Sequence, residues 1–234
     1  MKNAKKRLIV GIGLAITMVL ALFFTKDAWL FKALYVFAVF MSALEIFSAM
    51  PLVRGQAELS MVNVAAGVLA VSVIAIIILS PKELLLICLA ACLTDSFAYL
   101  IGSLFHGKIF RKGKPFPIVS PNKSWEGILG GVLGGVTSIV IFYTITKTSP
   151  NPASSMFVIL ATPAAIFGDA LESLIKRQFG IKDANDFTKH HSILKYPEKL
   201  LGGSEGHGGY YDRIDSISLV ACAYLLCSLT NNTM

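Results

Sequence analysis

The chain has 234 residues, 55% of them apolar and only 15% charged, with a mean hydropathy of +0.68 and a formal net charge of +7. That balance excludes an ordinary soluble domain and predicts an all-α, polytopic integral membrane protein. The positive charge does not point to nucleic acid, because the basic residues flank apolar runs and no nucleic-acid module lies between them.

The predicted spans, in chain order, are 8–24, 28–49, 61–79, 84–105, 128–146, 156–175 and 216–229, about seven helices, each near the ~20 residues that a bilayer core requires. Lys2 to Arg7 has the charge of a secretory n-region. The run behind it outlasts an h-region, and Ala21-Leu22-Phe23 is a poor cleavage site, so the reading is a retained first helix. With the N-terminus in the cytoplasm, all of the 21 basic residues except Lys26, Lys32, Lys82 and Lys147 fall on the inner side. The longer polar loops, near 50–60, 106–126 and 176–214, share that side. A cytoplasm-facing site is expected.

Within the second run, Glu45 lies near the cytoplasmic end without acidic companions and reads as a snorkelling or paired side chain. Cys88, Cys92, Cys222 and Cys227 sit inside apolar runs without zinc or redox spacing, which reads as small buried apolar residues. Asp95 is different. A carboxylate near a span centre costs ~2.5–3.5 kcal/mol on insertion scales, so it faces a polar cavity or a partner. Tyr99 and Gly102 share its helical face.

The loop after that span ends in Ser120-Pro121-Asn122-Lys123-Ser124-Trp125-Glu126-Gly127. Pro121 imposes an extended or turn entry and Ser124 can cap the helix that follows, whose first amides attract phosphate. The small-xxx-small spacing of Gly127, Gly131 and Gly135 predicts close helix packing. Further on, Asp169, Glu172, Ser173 and Lys176 form one helical stripe of two acids, a hydroxyl and an amine. His207-Gly208-Gly209 then leads into Asp212-Arg213-Ile214-Asp215, whose two acids border the last apolar run. Two acidic helix ends are expected to converge.

These blocks resemble the signature of phosphatidate cytidylyltransferases, also called CDP-diacylglycerol synthases. The resemblance rests on Ser173-Leu174-Ile175-Lys176-Arg177, on Lys182-Asp183 and on His207 to Asp215, and extends to Asp95-Ser96-Phe97-Ala98-Tyr99, the Ser120 to Gly127 block and Gly168-Asp169. The first three spans match only in being apolar. One departure is large: a polar insert near 184–206, bearing His190, His191, Lys195, Glu198 and Lys199, separates Asp183 from His207 where the family has a short turn. The insert reads as a solvated cytoplasmic lobe.

The resemblance implies transfer of the cytidylyl group of CTP to phosphatidic acid, giving CDP-diacylglycerol and pyrophosphate, in the cell (inner) membrane. It divides one membrane domain into N-terminal transmembrane helices, 1–82, and a catalytic transmembrane region, 83–234. Mg2+, with room for a second cation, is the implied cofactor, and Asp169 and Asp212 are its leading ligands, ahead of Glu172 and Asp215. Asp169, Lys176 and Asp212 are the expected catalytic residues. Asp95, Ser120, Lys123, Ser173, Arg177, Lys182, Asp183, His207, Gly208, Gly209 and Arg213 are the expected substrate-binding residues. For His207, phosphate contact or loop geometry is preferred to proton transfer, because phosphatidate already brings an anionic oxygen.

The expected partners are CTP, phosphatidic acid and membrane lipids, with a second copy of the chain also a candidate. No Walker-type loop or dinucleotide fingerprint is present. Two other classes compete: a CTP-dependent lipid-alcohol kinase, which would release CDP, and a lipid transporter in which Asp95 and Asp169 gate the path.

Overall fold

A computed structural model of the chain describes residues 22, 26–48, 50, 53–110, 115–117, 120, 123–149, 152–180 and 210–231. After a short 3-10 turn at Lys26–Ala28, these residues form six α-helices: α1 (Trp29–Ser48), α2 (Gln56–Ile78), α3 (Pro81–Phe105), α4 (Trp125–Thr146), α5 (Pro152–Gln178) and α6 (Tyr211–Asn231). Among the described residues there is no strand. Five of the helices, α1 to α5, are long and apolar enough to cross a membrane. The sixth, α6, carries Asp212, Arg213 and Asp215 near its start and packs among them. The all-α membrane architecture is therefore as expected. The predicted span at 8–24 and the insert near 184–206 lie outside the described residues.

Helices α2, α3 and α4 begin before their apolar runs do, at Gln56, Pro81 and Trp125 where the runs begin at 61, 84 and 128. Polar caps account for the difference. Ser124 Oγ accepts from Gly127 N at 3.1 Å, as its position predicted, and Glu83 Oε2 accepts from Ser80 N at 2.7 Å in a capping box before α3. At α2, Glu58 closes the first turn on Gly55 N. Such turns satisfy amides that have no partner inside the helix, and they are polar because they stand where the bilayer ends.

The most extensive pairings are α3 with α4 and α5 with α6. A Cβ on Gly130 would stand 2.5 Å from the Phe97 carbonyl oxygen, and one on Gly134 would overlap the Leu93 carbonyl. The glycines of α4 thus let two backbones approach, as the small-residue spacing implied. Gly168 does the same between α5 and α6, where a Cβ would meet Asp215 O at 2.8 Å. These contacts decide how far Asp95, Asp169 and Asp215 stand from one another.

Helix α1 is bound to its neighbours by buried polar contacts. Tyr35 Oη bonds Ser72 Oγ of α2 and Ser218 Oγ of α6, both at 2.9 Å. At the loop-bearing end, Glu45 receives two amides from the start of α6. At the other end, an exposed bond runs from Lys32 Nζ to Ile77 O at 2.9 Å, and between α6 and α3 Tyr224 Oη donates to Glu83 Oε1 at 2.9 Å. All four cysteines are free, and Cys92 is exposed on α3, the other three being half-buried. The expected burial is thus not met: these positions lie toward the periphery, because a bilayer accepts apolar side chains on the outside of a bundle.

Candidate active site

Four elements converge on a cavity of about 520 Å³ lined in part by residues at the loop-bearing end of the bundle. Asp95, Ala98, Tyr99, Gly102, Ser103 and His106 of α3 and the residues just after it form one wall. The rest of the lining includes Asp169 on α5, Asp212, Asp215 and Ser216 on α6, and Ser120, Lys123 and Ser124 from the loop before α4. Asp95 lies ten residues before the end of α3, a drop of about 15 Å along the helix axis at 1.5 Å per residue. The polar wall therefore reaches well below the helix ends.

The loop that delivers Lys123 is itself held in place. Lys123 N donates to Ser120 O at 3.1 Å, Ser120 N donates to Phe116 O at 3.0 Å, and the Phe116 ring packs edge-on against Phe167 of α5 with centroids 6.2 Å apart. Lys123 Nζ lies 5.8 Å above that same ring, reaches Asp169 Oδ2 at 2.7 Å and donates to Ile166 O at 3.1 Å. Glu126, 1% exposed, accepts from Phe110 N at 2.9 Å and Ile109 N at 3.2 Å. It fastens the chain leaving α3 to the first turn of α4.

A second amine lies in the α5–α6 seam. Lys176 Nζ pairs with Glu172 one turn back and with Asp212 Oδ1 at 3.3 Å. Glu172 is 3% exposed, so this carboxylate is sequestered from water. Asp169, Glu172 and Asp215 each offer an oxygen within 4.8 Å of the others. The convergence of two acidic helix segments, expected from spacing, is present. Its pairing differs in one respect: Asp169 is matched by Lys123 from the α4 loop, while Lys176 serves Glu172 and Asp212.

Five carboxylates, Asp95, Asp169, Glu172, Asp212 and Asp215, thus share this region with two amines, Lys123 and Lys176. At formal charge the acids are in excess. The donor set is entirely oxygen, which suits a hard cation that keeps water and phosphate in its shell and does not suit soft metals. An ionised cluster at this depth is costly unless charges are paired, so it marks a place where a cation or a charged substrate is handled.

Among the other sequence-predicted residues, Ser120 lines the cavity, whereas Ser173, Arg177 and Arg213 do not. Ser173 and Arg213 are half-buried and Arg177 is exposed in the last turn of α5. Lys182, Asp183, His207, Gly208 and Gly209 lie outside the described residues. Sequence reasoning missed Ser103, His106 and Ser216, which the cavity includes. Extending the Asp95–Gly102 face by one more turn reaches Ser103 and His106, so the helical period contained that signal.

The fold and site define a helical membrane protein with an acidic, lysine-bearing centre set among its spans. The sequence profile of the Cytidylyltransferase family matches residues 59–192, and the chain belongs to that family. It is similar to the phosphatidate cytidylyltransferase of Haemophilus influenzae, with 34% identity over 122 residues, 50% of this chain and 37% of that protein. The enzyme of the same name from Pseudomonas aeruginosa is 37% identical over 122 residues, 50% of this chain and 38% of the relative. That from Brucella melitensis is 33% identical over 126 residues, 54% of this chain and 40% of the relative. The aligned segments thus span well under half of these relatives' own length. No solved structure matches the chain. The family match ends before α6, so it is the packing against α5 that brings Asp212 and Asp215 into the same centre as Asp169.

Proposed function

We propose that this chain transfers the cytidylyl group of CTP to phosphatidic acid, forming CDP-diacylglycerol and pyrophosphate at the cytoplasmic face of the cell membrane. The observation that carries the reading is the acid-rich cavity of α3, α5 and α6, fed by Lys123 and Lys176, in a member of the cytidylyltransferase family. A phosphate oxygen of the lipid attacks the α-phosphorus of CTP. The bond to the β-phosphate oxygen breaks, pyrophosphate leaves, and a new phosphoanhydride joins lipid and nucleotide. Both reactants are polyanions, so the chief demand on the protein is to bring them together against repulsion.

Asp169, Glu172, Asp212 and Asp215 are the residues that would hold Mg2+, which when bound supplies positive charge to offset the phosphates. Lys123, which lines the cavity, would bind a phosphate on exchanging its Asp169 partner for substrate. Lys176 holds Asp212 and Glu172 in one arrangement and orients the acids. Tyr99, 79% exposed, lines the cavity one turn from Asp95, and an amphipathic substrate there would keep its apolar tails in lipid with its headgroup inward. The need for cytosolic CTP and the bias of basic residues support a cytoplasmic mouth.

The test is incubation of purified protein with phosphatidate, CTP and Mg2+, with pyrophosphate and CDP-lipid measured together. Equal amounts of both are expected. Release of CDP with a phosphorylated lipid alcohol would favour a CTP-dependent kinase, and flux without turnover would favour a transporter.

A further inference from the structure

We propose that Glu45 of α1 is a positioning residue for the acidic centre, holding the first turn of α6 so that Asp212 and Asp215 face α5. The inference rests on the proposed cytidylyl transfer for its kinetic consequence, though not for its geometry. Glu45 lies outside the family match and outside the cavity wall. It is 2% exposed, and both of its oxygens are engaged: Oε1 accepts from Tyr210 N at 2.8 Å and Oε2 from Tyr211 N at 3.0 Å.

Those two amides belong to the start of α6, where no carbonyl of the same helix precedes them to accept their protons. A buried carboxylate there makes charge-assisted bonds and also meets the positive end of the helix dipole. The residue after Tyr211 is Asp212, whose Oδ1 meets Lys176, and one turn on is Asp215 of the three-acid cluster. Other contacts from α1 reinforce the grip. The Phe37 ring packs edge-on to Tyr210 with centroids 6.3 Å apart, and Tyr35 bonds Ser218 two turns further along α6. Helix α1 therefore splints the acid-bearing end of α6, while Gly168 allows α5 to press on it from the other side. Release of that end displaces the acids without removing any of them.

The experiment compares the full chain with its Glu45→Gln and Glu45→Ala variants in lipid nanodiscs, using three readouts. Amide hydrogen exchange in a peptide covering 210–216 should accelerate in the order wild type, Gln, Ala, while peptides from α3 and α4 stay unchanged. Mn2+ binding, read by electron paramagnetic resonance, should weaken about 10-fold or more, the scale found when groups orienting metal ligands are removed. The kcat should fall ~10–100-fold with KM for CTP changed less than about 3-fold, since small misplacements of reacting groups cost that much.

Unchanged exchange at 210–216 would overturn the splint. Faster exchange with normal Mn2+ affinity and normal kcat per folded molecule would overturn its link to the centre and leave Glu45 with a merely structural role. If Glu45→Ala fails to fold, Glu45→Gln, which keeps the shape and one acceptor oxygen, decides the matter on the same readouts. If the wild type shows no cytidylyl transfer, the proposed function fails, and exchange together with Mn2+ binding still decides the role of Glu45.

Discussion

Replacing Lys176 by Met should cost the protein both stability and turnover, and a second substitution should separate the two losses. Lys176 stands between Glu172 and Asp212, with side chains 14%, 4% and 17% exposed respectively. At the 3.3 Å separation of Lys176 and Asp212, unit charges attract by about 5 kcal/mol at an effective dielectric constant of 20, before desolvation is subtracted. Removing one partner of a buried pair leaves the other uncompensated, at a cost of ~3–5 kcal/mol. Lys176→Met should therefore lower the midpoint of thermal unfolding in detergent markedly. Adding Glu172→Gln removes the more buried of the two carboxylates that Lys176 pairs, Asp212 keeping its charge, so the double variant should recover part of the lost stability. It should not recover cytidylyl transfer, because neither the amine nor the carboxylate has been restored. The assays are thermal unfolding followed by tryptophan fluorescence and transfer measured as pyrophosphate released per folded protein. Normal stability in Lys176→Met would refute the buried-pair argument, and recovery of activity in the double variant would remove Lys176 and Glu172 from the chemistry.

Asp169→Asn and Asp212→Asn should each abolish turnover across a Mg2+ titration while the protein stays inserted and folded; near-normal activity in either would remove that residue from the cation-binding set. Gly134→Ala should destabilise the bundle, because its Cβ would overlap the Leu93 carbonyl, whereas Gly67→Ala meets nothing within 4 Å and should leave unfolding unchanged. Equal effects of these two alanines would argue that the α3–α4 seam is not tightly packed. For topology, a cysteine introduced at Lys108 should react with a membrane-impermeant thiol reagent from the cytoplasmic side and one at Lys147 from the opposite side, in a background without native cysteines. Labelling of both from one side would break the orientation inferred from the basic residues.

Much of this protein is legible along the chain because a bilayer imposes a simple code. Apolar runs of sufficient length announce α1 to α5, Ser124 announces its cap, and the spacing of Gly127, Gly131 and Gly135 announces that α4 packs closely. The stripe of Asp169, Glu172 and Lys176 follows from helical period alone, and its second acid and its amine do meet. Which partner each remaining charge takes does not follow, since residues far apart in sequence are joined only by the bundle. Lys123 goes to Asp169, Lys176 to Asp212, and Glu45 to the amides of Tyr210 and Tyr211. Glu45 is the clearest case: alone in its apolar run it gives no sign of a companion, because what it binds is backbone at the start of α6 and not another side chain. Local period decides which faces are polar, and only tertiary packing decides which of those faces share a cavity.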